Sequence, residues 1–177
     1  MRGWKLSFAV AFGVIAMAVS AACAATPSDE PSTVWRSTPD DYQAAIIAAV
    51  DRHGCRDIDR DLVAAQIDIS SGFDATAVSV TGARGPAQLR QTDMDRFGPL
   101  VGATDPHKVD DAAAVLVALD CQIAKELADA NTAATTRNIT IAWVAGVSAA
   151  TADHFGTSDR DGQLSDVVSR VTALVAP

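Results

Sequence analysis

Gln66-Ile67-Asp68-Ile69-Ser70-Ser71-Gly72-Phe73-Asp74-Ala75-Thr76-Ala77-Val78-Ser79, followed after Val80 and Thr81 by Gly82-Ala83-Arg84-Gly85-Pro86-Ala87-Gln88, decides how the chain is read. Upstream of it, Asp59 is a helix cap, and Leu62, Val63, Gln66, Ile67 and Ser70 fall on adjoining positions of one helical face. The spacing therefore predicts a helix whose end presents Ser70. A loop of small residues runs from about Ser71 to Arg84, where Gly82 and Gly85 permit tight turns, and Gly85-Pro86 is expected to restart a helix through Gln88, Leu89 and Phe97. A small-residue loop anchored between two helices is where a fold can place chemistry on a rigid base.

Outward from this stretch the pattern is helical throughout. Thr38-Pro39-Asp40-Asp41 supplies a capping hydroxyl, a first-turn proline and two acids, and Tyr42, Ala45, Ile46, Ala49 and Val50 follow as a buried stripe that Gly54 ends. Asp105-Pro106 opens the longest helix, with Ala112, Leu116, Leu119, Ile123 and Leu127 at helical spacing. The nearly uncharged run from Asn138 to about Ala150 predicts a buried helix, and Leu164, Val167, Val168, Val171 and Leu174 predict a last amphipathic one. With 49% hydrophobic but only 5% aromatic residues, the balance favours close-packed helices over sheet. The expectation is an all-α single domain of about six helices over residues 39–177.

Residues 26–38 are polar and proline-containing and read as a tether, with Trp35 against the domain edge. Before them, Arg2 and Lys5, the apolar run Leu6 to Val19 and the small residues Ser20 to Ala25 form the layout of a secretory signal peptide over residues 1–25. This predicts an exported protein, extracellular or in the cell envelope, with no transmembrane span in its mature form. Lipid anchoring through Cys23 is the alternative, although Ser20 stands where a lipobox usually has an aliphatic residue. Export also favours a disulfide between Cys55 and Cys121, against two buried free thiols.

The net charge of -8 argues against nucleic acid as a partner. His53, His107 and His154 form no recognised nucleophile motif, and no His or Cys pair has metal-ligand spacing, so neither a metal nor a cofactor is expected.

Several motifs together resemble the lytic transglycosylase branch of the lysozyme superfamily. Its pattern is Glu-Ser-Gly-Phe, then Ala-Val-Ser, then Gly-Ala-x-Gly-Leu-Met-Gln; here Ser71-Gly72-Phe73, Ala77-Val78-Ser79, Gly82-Ala83, Gly85 and Gln88 match. Asp105-Pro106 and the Ala-rich helix after it match the family's Asp-Pro and central helix. Ala142-Trp143-Val144-Ala145-Gly146 stands where the family has Ala-Tyr-Asn-Ala-Gly, and Val167-Val168-Ser169-Arg170-Val171 matches its closing Tyr-Val-x-x-Val. The resemblance spans about Tyr42 to Val171 and implies a lysozyme-like fold directed at peptidoglycan.

The departures are chemical. Ser70 occupies the position of the family's catalytic Glu, Pro86-Ala87 replaces Leu-Met, and Trp143-Val144 replaces Tyr-Asn. In the family, one Glu protonates the leaving glycosidic oxygen and then, as base, assists the sugar's own 6-hydroxyl to form a 1,6-anhydro product; a serine hydroxyl is too weak an acid for either step. Asp68 is about 200° round the helix from Ser70, and Asp74 lies beyond Gly72 in the loop. By the resemblance, Gln88 and Trp143 line the glycan site. The expectation is an inactive module that binds peptidoglycan glycan strands or a cell-wall protein, and the alternative is a working transglycosylase with a relocated acid.

Overall fold

One long, alanine-rich helix organises the protein. The structure is a computed structural model that describes residues 30–152 and 162–177, so the expected signal segment, Cys23 and His154 lie outside the described residues. Eight helices occur among them: α1 (Thr33–Ser37), α2 (Asp40–His53), α3 (Arg60–Ser71), α4 (Gln91–Val101), α5 (Val109–Asp129), α6 (Thr136–Ala145), α7 (Val147–Thr151) and α8 (Gln163–Leu174). There is no strand among the described residues, only the isolated bridges Val78 to Arg84 and Arg84 to Leu89. The fold is all-α, and six of its helices are ten residues or longer.

On α5, residues 112–117 are all buried, along with Ile123, Ala124 and Leu127. Small alanines on this face let neighbouring backbones approach closely, and α2, whose buried positions are Tyr42, Ala45, Ile46 and Ala49, makes its largest interface with α5. The helices α4 and α6 also pack on α5, and α8 closes the core against α6 and α3. Leu164, Val168 and Val171 are the buried positions of α8. Among the described residues no helix is long and apolar enough to cross a membrane.

Three expectations about local structure are corrected. The tether ends before Ser32: α1 buries Val34 and Trp35, with the Arg60 guanidinium 4.6 Å over the Trp35 ring and Ser32 Oγ donating to Asp61 Oδ1 at 2.8 Å. Two apolar residues among polar ones are enough to dock one helical turn, although they leave no periodicity to read. Thr38 does not start α2, whose N-cap is Pro39; it is the C-cap of α1, with its hydroxyl donating back to the Val34 carbonyl. Gly146, at φ 87, breaks the apolar run after Asn138 into α6 and α7.

A disulfide joins Cys55, just beyond α2, to Cys121 on α5, with Cα atoms 5.8 Å apart. It ties together the two helices that share the largest interface.

Candidate functional site

The loop after α3 is held by a chain of specific contacts. Asp59 Oδ1 accepts from Leu62 N to start α3, and Gly72, in the left-handed conformation, ends it. Phe73 also has positive φ, and two contacts hold it there: Tyr42 donates its hydroxyl to the Phe73 carbonyl at 2.7 Å, and the two rings meet edge to face. Ser71 Oγ donates to the Pro86 carbonyl at 2.8 Å and accepts from Asp74 N. His107 donates Nδ1 to the Ala75 carbonyl at 2.8 Å.

The expected helix start at Gly85-Pro86 is a further correction. Arg84 and Leu89 exchange backbone hydrogen bonds across a tight turn, and Gln88 closes it with φ 48 and Nε2 donating to the Ala77 and Gly85 carbonyls. Helix α4 begins only at Gln91, where Asp93 Oδ2 accepts from Arg90 N, the one half of a capping box that an arginine N-cap allows. Gly85 cannot be replaced without strain: its φ is 71, and a Cβ there would overlap the Pro106 carbonyl.

This folded loop forms one side of a groove of about 380 Å³, whose other sides come from α4, α5 and the end of α6. Gln88 and Trp143 both line it; Ser70 does not, although it lies half-buried at the end of α3. One wall is polar and internally paired. Arg90 grips Asp93 with Nε to Oδ2 at 3.0 Å and Nη2 to Oδ1 at 3.2 Å, and Gln122 donates to Glu126 Oε1 at 2.7 Å, with Arg96 Nη2 3.9 Å from the same oxygen. Trp143, Val144 and Val147 line the same groove with apolar surface. A groove that combines an aromatic ring with paired donors and acceptors suits a ligand with both apolar and hydrogen-bonding surface.

Sequence reasoning missed Arg90, Asp93, Arg96, Gln122 and Glu126. The four-residue spacing of Gln122 and Glu126 on one helix face is the signal that could have found part of this wall.

Two other carboxyls bear on acid chemistry. Asp74 Oδ1 accepts from Thr76 N at 2.8 Å and from the Thr76 hydroxyl at 2.7 Å, and these bonds hold its carboxyl below the usual range. It is exposed and stays ionised at neutral pH, the wrong state for a general acid. Burial pushes Asp120 up to about 7, but its side chain is fully enclosed and no ligand reaches it. His53 sits half-buried at the end of α2, His107 is committed to the loop, and among the described residues no hydrogen bond joins either to Ser70. Among the described residues no three His, Cys, Asp or Glu side chains converge where they would hold a metal ion.

No known protein family's sequence pattern matches this chain, and no curated protein is significantly similar to it.

Proposed function

We propose that this is an exported, lysozyme-like module of the lytic transglycosylase type, which engages peptidoglycan glycan strands, or a cell-wall protein, without cleaving the glycan. The observation that carries the reading is the groove: Gln88 and Trp143, the two residues the resemblance places at the glycan site, share one cleft, while position 70 carries a hydroxyl instead of a carboxyl. The indole stacks on a sugar face, and the paired polar wall supplies hydrogen bonds to hydroxyls. Because each arginine is already matched by a carboxylate, this wall is closer to neutral than the acidic chain as a whole.

The rival reading, a working transglycosylase with a relocated acid, has Glu126 in its favour, a carboxyl that lines the same groove. Purified protein incubated with peptidoglycan sacculi separates the two. The wild type is expected to sediment with sacculi and release no 1,6-anhydro muropeptides, and Ser70→Glu, at a position that does not itself line the groove, is expected to release at most the small amount that the longer glutamate side chain can bring within reach. One positioned general acid is worth about 10² to 10⁴-fold, and loose positioning takes back part of that gain. Product from the wild type that Glu126→Gln abolishes would establish the rival; no sedimentation at all would remove the glycan partner.

A further inference from the structure

The core contains one polar pair that the groove does not use. Gln66 on α3 and Asp120 on α5 are both 0% exposed, and Gln66 Nε2 donates to Asp120 Oδ1 at 3.1 Å. The remaining oxygen of each group, Gln66 Oε1 and Asp120 Oδ2, has no partner among the described residues. If Asp120 is ionised, both leftover atoms are acceptors in an apolar interior, an arrangement that costs far more than an ordinary missing hydrogen bond. A proton on Asp120 Oδ2 removes the charge and turns that atom into a donor, and Gln66 Oε1 is the other buried side-chain acceptor left without a partner among the described residues.

We propose that Asp120 and Gln66 form a proton-held latch between α5 and α3, closed while Asp120 is a neutral carboxylic acid and loosened when it ionises.

Among the described residues, burial and the Gln66 amide are the influences on the charge of Asp120, with no cation beside them. The helices packed on α5 are α2, α3, α4, α6 and α7. Among the described residues the other buried titratable side chains are Tyr42 on α2 and Asp93 on α4, and both are committed elsewhere, Tyr42 to the Phe73 carbonyl and Asp93 to Arg90. His53, at the end of α2, lies beside Cys121 through its carbonyl, and Cys121 is in the disulfide and does not titrate. The protonation of Asp120 is set by burial, which raises its pKa, and by the Gln66 amide, which lowers it; the balance is upward, to about 7 against an ordinary 3.8.

The direction of the pH effect follows. The neutral acid is the form the fold prefers, so the latch contributes fully below the unfolded-state value of 3.8 and its contribution is lost as pH rises to about 7. Between pH 5 and 8 this one group raises the unfolding constant by about a hundredfold. The helices it joins are those that end in Ser70 and Ser71 and that carry Leu119, Gln122 and Ile123 into the groove. The inference holds whatever the groove binds.

Denaturant unfolding of the mature protein at pH 5 and pH 8 tests it, with Asp120→Asn alongside. Asparagine presents the same two-point face to Gln66 and never ionises, so the variant is expected to lose the hundredfold change while the wild type keeps it. The same pH dependence in both proteins would overturn the latch. If Asp120→Asn does not fold, carboxyl carbon-13 NMR of the wild type decides instead. One aspartate resonance is expected to titrate near neutrality, and titration of every aspartate below pH 5 would overturn the proposal.

Discussion

Reducing the Cys55–Cys121 disulfide is expected to remove a large part of the stability of the domain. The bond spans a sequence separation of 66 residues. In the chain-entropy account, closing a loop of that length in the unfolded state is worth roughly 4 kcal/mol at 25 °C, against a total of about 5 to 15 kcal/mol for a typical domain. With a urea slope of about 1 to 3 kcal/mol per molar, the unfolding midpoint should fall by roughly 1.5 to 4 M. The assay is far-UV circular dichroism across a urea series, with and without reductant, on protein whose thiols are counted by alkylation and intact mass. Cys55 is exposed, so reductant reaches the bond without prior unfolding. Two alkylated thiols in unreduced, unfolded protein would refute the pairing itself. Coincident midpoints for the oxidised and reduced forms would refute the claim that the bond constrains the unfolded chain.

Trp143→Ala is expected to weaken sedimentation with sacculi several-fold, since an aromatic face contact is worth about 0.5 to 1.5 kcal/mol beyond its buried area. A large drop in melting temperature with unchanged sedimentation would assign the half-buried indole to the core alone. Gly85→Ala should cost roughly 2 to 4 kcal/mol, because alanine combines an unfavourable positive φ with overlap against the Pro106 carbonyl; a thermal unfolding curve matching wild type would show that the loop relaxes freely.

What was legible in the chain was what short-range chemistry decides. The Asp59 cap, the left-handed Gly72 and the apolar stripes of α2, α5 and α8 each depend on residues within a few positions of one another. The errors occur where two local readings compete. Gly85-Pro86 looks like a helix start, but the Arg84 to Leu89 bridge and the Gln88 amide take the backbone groups that a helix would have used. The run after Asn138 is nearly uncharged throughout, and only the backbone at Gly146 shows that it is two helices.

The groove and the latch were illegible for a different reason: their partners meet only in space. Arg96 and Glu126 face each other from α4 and α5, and Gln88 and Trp143 come to line one groove through the packing of α6 on α5. Gln66 and Asp120 are 54 residues apart and look like ordinary polar interruptions of two amphipathic helices. A polar residue within an apolar stripe has two physical outcomes, rotation toward solvent or burial with a partner, and only packing chooses between them. Here α5 is covered from several sides, so Asp120 has no route to water. Its charge is then the quantity that must give way, and the same enclosure that keeps it from acting on a glycan makes the strength of the α3 to α5 contact depend on pH.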